Sequence, residues 1–357
     1  MKFSNLLKTL DSKAFYFTQS VLFHPERFIS PRAFYFTQSV LFQPDFKKYK
    51  FDFNILENIN TNTMNPETCP YKFNEIIECK KLSFLELRHD YKLLKDFKAD
   101  TNPRKFCGNP ILYHYQIENL LNCRRDSKGY KTLKECFDNT DELQKLWNET
   151  IKRNRRDKDP LCSACDVYEC HRVNRGSIVF FKASTAKYIY KLFNAQSVLD
   201  PTAGWGGRLL GAASLDIKYT GIDTNINLKK GYDNMIKDLD IKNCSMIYES
   251  CLDVDYSKLE YDLVLTSPPY INLELYENME PFESKNIFYE NFLIPMMEKV
   301  FEHLKEGGHM CINISPVMFK ALMKTGYPVP LTQIDLRQQL GKQFKTKSQD
   351  YIYVWKK

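Results

Sequence analysis

The chain has 357 residues, a net charge of +7 and 43% hydrophobic residues, with a mean hydropathy of -0.46. Those values describe a soluble globular protein with enough chain for two cores. No apolar run approaches the roughly 18 residues that a membrane helix needs, so no membrane span is expected. Lys8, Asp11 and Lys13 break up the first residues, so no secretory signal is read there. Eleven cysteines without such a signal point to free thiols in a reducing compartment, cytoplasmic or nuclear. The mild positive charge suits a polyanionic partner, and some of the 25 Phe and 22 Tyr could stack on bases.

The first feature in chain order is a duplication. Ala14–Phe23 recurs letter for letter as Ala33–Phe42. Two copies fall short of a solenoid, which needs about three or more, and the segment reads as a hairpin or two short helices. Residues 74–98 read as one helix, with Ile76, Ile77, Leu82, Leu85 and Leu87 among charges. Ile111–Cys123 reads as a second helix and Asp141–Arg156 as a third, with Asp141 as its cap. The third ends in a cationic cluster of Arg153, Arg155 and Arg156. Cations suit a helix C-terminus, and together with Arg124 and Arg125 they could instead grip phosphates. Cys162, Cys165, Cys170 and His171 carry zinc-type donor atoms. Their crowding within ten residues, with no second CxxC pair, favours a thiol-bearing segment over a metal site, and no metal is expected. The composition shifts after Arg175-Gly176. We therefore expect a mostly helical N-terminal domain over 1–170 and an α/β domain over 171–357.

The second half alternates short strands with helices, the pattern of a parallel α/β sheet. Ser184 or Thr185 is expected to cap a helix beginning there. Ser197–Asp200 reads as a strand, followed by Pro201-Thr-Ala-Gly204-Trp-Gly206-Gly207-Arg208 and a helix. Glycines let a backbone approach a ligand where a Cβ would clash. Lys218–Asp223 is a second strand, ending in an acid placed to accept the hydroxyls of a ribose. NAD enzymes share this arrangement, so to this point a dehydrogenase stays open. Ser245–Ser250 is a third strand, leading to Asp253. Leu263-Val-Leu is a short apolar run of a doubly covered strand. Pro268 and Pro269 force the chain out of the sheet after it. Phe288–Leu304 reads as a long helix stopped by Gly307-Gly308. His309–Ile314 is a fifth strand. Gln333–Leu340 and Asp350–Trp355 could form a final antiparallel pair.

Ser267-Pro268-Pro269-Tyr270, downstream of the glycine loop, Asp223 and Asp253, resembles the catalytic signature of the S-adenosylmethionine-dependent DNA amino-methyltransferases. The resemblance covers 177–357. It implies a class I methyltransferase fold, a Rossmann-like sheet of seven strands with the last antiparallel. It implies S-adenosyl-L-methionine as cofactor, touched by Phe181, Asp200, Thr202, Gly204, Gly206, Asp223 and Asp253. It also implies direct methyl transfer to the exocyclic amine of a flipped DNA base, with Ser267, Pro268, Pro269 and Tyr270 at the reacting end. Cytosine N4 is favoured over adenine N6. Thr202 stands where the family often has an aromatic residue, whose ring Trp205 could replace. No segment after Tyr270 is left over for target recognition, which is expected of residues 1–170. Two alternatives stay open, an RNA base amino-methyltransferase and a catalytically silent nucleic-acid-binding relative.

Overall fold

The computed structural model describes residues 65–98, 107–125, 129–157, 161–176, 178–269, 274–275, 282–334 and 351–357. The duplicated segments 14–23 and 33–42, and Tyr270, lie outside them. The chain divides into two units, Met1–Asn65 with Asp159–Ser163, and Pro66–Lys158 with Ala164–Lys357. The expected boundary at 170 thus falls inside the second unit, which holds everything that follows unless stated.

Its first part is helical. Helices α1 (Phe73–Glu78), α2 (Phe84–Asp96), α3 (Asn109–Leu120), α4 (Leu133–Phe137), α5 (Thr140–Asp157) and α6 (Ala164–Asn174) precede the sheet. The single helix expected over 74–98 is two helices. The break comes at Ser83, whose hydroxyl accepts the Glu86 N–H at 3.3 Å while the Glu86 carboxylate takes the Ser83 N–H at 2.7 Å. This reciprocal capping box starts a new helix outright, and the Ser-x-x-Glu spacing was visible in the sequence. Asp141 does not cap α5. Asn139 does, accepting the Glu142 N–H at 3.0 Å. Helix α7 (Ala183–Leu192) starts two or three residues earlier than expected, with Lys182 at its N-cap, and Ser184 and Thr185 lie buried in its first turn instead of capping it.

Strands β2 (Ser197–Asp200), β3 (Lys218–Ile222), β4 (Cys244–Ile247), β5 (Leu263–Thr266), β7 (His309–Ile314), β8 (Thr332–Ile334) and β9 (Tyr351–Lys356) form one sheet in the order β4-β3-β2-β5-β7-β9-β8. Pairs among β4, β3, β2, β5 and β7 are parallel. β9 runs antiparallel to both β7 and β8. This is the strand order of the class I methyltransferase fold, with the last strand in the chain antiparallel, as expected, and inserted between β7 and β8. Helices α8 (Gly207–Ala213) and α9 (Lys229–Asp238) make the crossovers on one side of β2. A separate two-stranded ribbon joins β1 (Arg124–Arg125) to β6 (Glu274–Leu275).

Every residue of β5 is buried, as its apolar run requires of a strand covered on both faces. One face packs Val264, Ile312 and Ile314 against Phe288, Leu293, Met297 and Val300. Those last four come from α10 (Lys285–Phe288), a π-helical turn (Tyr289–Leu293) and α11 (Ile294–Glu302), which replace the single long helix expected there. Pro295 lies at the start of α11 and has no N–H to bond back into the preceding turn.

Candidate active site

The chain leaves β2 towards β3 and β4 on one side, then returns to β5 on the other. The carboxyl ends of β2 and β5 therefore flank a topological switch point, the place where open α/β sheets bind ligands. Three loops meet there: the glycine loop after β2, the turn at Asp223 after β3, and Ser267-Pro268-Pro269 after β5.

Asp200 holds the base of the site. It is wholly buried and accepts the Arg208 Nε–H at 2.6 Å, the Tyr219 hydroxyl at 2.7 Å and the Thr266 hydroxyl at 2.8 Å. A buried carboxylate needs such partners, because an unpaired charge in that environment is very costly. Burial opposes the Arg208 charge, but Asp200 beside it outweighs that and holds the guanidinium pKa above its usual value. Arg208 also donates to the Thr202 carbonyl, and its guanidinium lies over the Phe181 ring, 5.1 Å from the centroid. The Thr202 hydroxyl stands 2.6 Å from that of Thr266 and 3.2 Å from the Ser267 carbonyl. Since Thr266 spends its only proton on Asp200, the single Thr202 proton is shared between the Thr266 hydroxyl and the Ser267 carbonyl. One network thus ties the glycine loop to the Ser-Pro-Pro turn.

Asp223 holds the opposite side of the loop. Its carboxylate accepts the Gly204 N–H at 2.7 Å and the Asn225 N–H at 2.9 Å. Burial pushes this carboxyl up to about 6, against the pull of those two N–H bonds. Each oxygen keeps lone pairs for further donors. Gly204 has φ +58, and the nearest atom to a Cβ built there is 3.9 Å away. Left-handed backbone explains the glycine, and the open space leaves the peptide bare to an incoming ligand. Gly207 answers a different need: a Cβ there would come within 1.8 Å of the Phe181 carbonyl oxygen. A polar recess of about 510 Å³ between α3 and α9, lined by Asn119, Asn227, Lys230 and Asp238, shares none of these residues.

No family model and no curated protein sequence matches the chain. Solved structures do overlap with it. TrmN from Thermus thermophilus is 16% identical, covering 49% of this chain and 48% of its own, with a TM-score of 0.38. The chain thus spans about half the length of that protein. An rRNA methylase from Streptococcus thermophilus is 13% identical over 51% of this chain and 99% of its own, with a TM-score of 0.35. NSun6 from Pyrococcus horikoshii, solved with SFG, is 14% identical over 47% and 50%, with a TM-score of 0.33.

Of the residues the sequence singled out, Phe181, Thr202, Gly204, Gly206, Asp223, Ser267, Pro268 and Pro269 belong to the three converging loops or to the lead-in packed against them. Asp200 sits beneath the loop, with its oxygens committed to Arg208, Tyr219 and Thr266, so it shapes the site from below. Asp253 is exposed in the turn after β4, where its N–H bonds to Ser250 O at 2.9 Å. Trp205 is buried, with its ring centroid 5.7 Å from that of Phe180. The backbone of Arg124–Arg125 pairs with Glu274–Leu275, just beyond Ser267-Pro268-Pro269. Arg153 is half-buried, with Nη1 enclosed and without a hydrogen-bond partner among the described residues. It does not project from a solvated face, and the side chains of Arg155 and Arg156 lie outside the described residues.

The cysteine cluster is not gathered around a point. Cys165 donates to the Cys79 carbonyl at 3.2 Å, Cys170 receives the Asn174 amide at 3.4 Å, and His171 Nε2 meets the Lys131 carbonyl at 3.1 Å. Burial lowers the His171 pKa to about 4, so the ring is neutral and donates through Nε2–H. Cys162 belongs to the other unit, where its N–H bonds Asn65 at 2.8 Å. Among the described residues no group of three His, Cys, Asp or Glu side chains could hold a metal, and all eleven cysteines are free thiols. No described helix is long and apolar enough to cross a membrane.

Sequence reasoning missed four residues here: Arg208, Tyr219, Thr266 and Asn313, whose amide oxygen lies 3.4 Å from the Ser267 hydroxyl. Thr266 carried a signal, being a hydroxyl at the end of an otherwise apolar buried run. So did Arg208, a cation inside an apolar helix. Tyr219 and Asn313 carried none that separates them from ordinary strand residues.

Proposed function

We propose that this protein is an S-adenosyl-L-methionine-dependent methyltransferase acting on the exocyclic amine of a nucleic-acid base. The observation that carries the reading is the Thr202 hydrogen bond to the Ser267 carbonyl, which sets the bare glycine loop against the Ser-Pro-Pro turn at the switch point. A cofactor loop and an acceptor-amine site must adjoin for direct transfer between them.

The residues fit the cofactor. Gly204 has open space over its peptide, and Asp223 has lone pairs left for two ribose hydroxyls. Phe181 offers a ring beside the loop, and Asp253 is an exposed carboxylate past the neighbouring strand. When bound, the cofactor supplies an electrophilic methyl group on sulfonium. The remaining work is done by the chain. An exocyclic amine is a poor nucleophile because its lone pair is delocalised into the ring. Hydrogen bonds from its protons to the Ser267 hydroxyl and the Pro268 carbonyl draw the nitrogen towards a pyramidal shape and aim its lone pair. Neither prolyl nitrogen carries a proton, so the turn leaves carbonyls free to accept. Catalysis is then positioning and electrostatics, without a cysteine nucleophile. A base in a duplex must first flip out. Tyr270 is the stacking surface assigned to it by the motif.

Two further features support a polyanionic substrate. The chain is net positive, and β1 pairs Arg124 and Arg125 with Glu274–Leu275, which follow Ser-Pro-Pro in the chain. The Ser-Pro-Pro-Tyr form favours cytosine N4 of DNA, then adenine N6. Residues 1–170 are proposed to select the target. Tritiated cofactor offered with unmodified DNA and with unmodified RNA tests the reading, followed by analysis of the labelled nucleoside. An N-methylated amino nucleoside from DNA supports it in full. The same product from RNA alone moves the substrate to RNA and keeps the chemistry. Label on carbon, or none on either polymer, overturns it.

A further inference from the structure

The geometry points to Asn313 as a positioning residue that makes the Ser267 hydroxyl a pure hydrogen-bond acceptor towards the substrate amine. This rests on the methyltransferase reading above. β5 and β7 pair in register, with Thr266 opposite Ile312. The next level brings Ser267 opposite Asn313. β7 is an apolar, almost wholly buried strand, and Asn313 interrupts it with a buried amide, 8% exposed. A buried amide in such a strand needs partners for both its ends.

Those partners fix which way the amide faces. Nδ2 donates to the Tyr351 carbonyl at 3.2 Å. A carbonyl oxygen can only accept, so the amino end must be the one facing β9. That leaves Oδ1 towards Ser267, whose Oγ lies 3.4 Å away. Oδ1 also can only accept, so the serine proton points at Asn313. A serine hydroxyl has a single proton and two lone pairs. With the proton committed, what remains for a ligand at the end of β5 is acceptor capacity alone. At 3.4 Å the bond is long for O–H···O, and it sets direction more than it contributes strength.

Direction is what the chemistry needs. A free serine hydroxyl can donate to the amine nitrogen, which occupies the lone pair that must attack and so blocks transfer. A hydroxyl turned towards Asn313 can only receive an amine proton, which releases the lone pair. The Ser267 carbonyl is held from the other side by the Thr202 hydroxyl. The residue is thus gripped from the loop after β2 and from β7, with only its acceptor face left open.

The rival explanation is that Asn313 merely ties β7 to β9 through Tyr351. A double-mutant cycle on the full chain separates the two. It is read as single-turnover methyl transfer from tritiated cofactor onto unmodified DNA and RNA, with cofactor affinity and thermal midpoint measured alongside. Asn313→Leu should slow transfer roughly ten- to a hundredfold, by analogy with the loss of one preorganised hydrogen-bonding group, and leave cofactor affinity within about twofold. Asn313→Asp, whose protonated carboxyl keeps an acceptor oxygen beside Ser267 and an O–H for the Tyr351 carbonyl, should recover most of the rate at a pH where it is protonated. In a Ser267→Ala background, Asn313→Leu should cause no further slowing, because a residue acting through another has nothing left to act on. Equal slowing in both backgrounds, or no recovery with Asp, overturns the inference and leaves Asn313 a strand tie. A wild type that transfers nothing, or Ser267→Ala at full rate, is a different failure. The first removes the methyltransferase reading and this inference with it; the second leaves the transferase and removes Ser267, and with it Asn313, from the chemistry.

Discussion

Replacing Asp200 by Asn tests the network beneath the site most directly. Asn has the same shape and keeps one acceptor oxygen, which can still serve Thr266. The other atom becomes an NH2 group in the place of the oxygen that now receives Arg208 Nε at 2.6 Å and Tyr219 at 2.7 Å. The tyrosine hydroxyl can turn and accept instead. Arg208 cannot, since guanidinium only donates. It would be left charged, 4% exposed, with the Thr202 carbonyl as its remaining partner. Removing one member of a buried ion pair costs about 3–5 kcal/mol. In a domain of this size each kcal/mol lowers the melting midpoint by about 2–4 °C, so a fall of roughly 6–20 °C is expected. Thermal unfolding followed by tryptophan fluorescence measures it, and urea unfolding gives the free energy, since Trp147, Trp205 and Trp355 are all buried. Asp200→Asn with Arg208→Met should lose clearly less than the two single changes added together, because the stranded charge is gone. An Asp200→Asn protein within about 1 kcal/mol of wild type, or strict additivity in the double mutant, would refute the claim that this ion pair organises the loop.

Gly207→Ala would put a Cβ 1.8 Å from the Phe181 carbonyl. Backbone must move, so a loss of about 1–3 kcal/mol and weaker cofactor binding by calorimetry are expected; an unchanged melting midpoint contradicts that. Asp223 binds its proton more tightly folded, at about 6, than its ordinary 3.8. Ionising it therefore costs the fold stability as pH rises through 6. A ribose diol that donates to the carboxylate works in the opposite direction: cofactor affinity should fall as pH drops through about 6, and a flat profile from pH 5 to 8 excludes that contact. Arg124→Ala with Arg125→Ala should reduce the slope of log affinity against log salt for DNA or RNA by up to about 0.7–0.9 per lost phosphate contact. An unchanged slope removes both residues from the interface.

Local chemistry carried much of this protein. The apolar run Leu263-Val-Leu, stopped by Pro268-Pro269, is legible as a buried strand ending in a loop, because proline can neither donate to a ladder nor continue it. The glycine loop between Asp200 and Arg208 is legible because strand, tight turn and helix each leave a local mark. In succession these features resemble those of the class I methyltransferases, and the strand order was expected from that resemblance, because the favoured hand of a crossover does not by itself set the order. Helix starts were less legible. Ser83 and Asn139 outcompeted the expected continuities through side-chain bonds to nearby N–H groups, and charge periodicity does not register such bonds.

Pairings across the sheet were beyond the sequence. Nothing local distinguishes Asp200 as a buried hub from Asp223 as a half-buried acceptor at the loop's edge; each is an acid ending a short strand. Their roles separate only when β2 lies between β3 and β5, which encloses Asp200 among Arg208, Tyr219 and Thr266 and leaves Asp223 at the rim. Asn313 likewise looks like an ordinary strand residue until register sets it opposite Ser267 and β9 supplies the Tyr351 carbonyl. Arg124–Arg125 and Glu274–Leu275 are far apart in the chain, and only the fold makes them one ribbon. Hydrogen bonds of this kind depend on positions in space, and a chain read residue by residue holds no record of which distant partner will arrive.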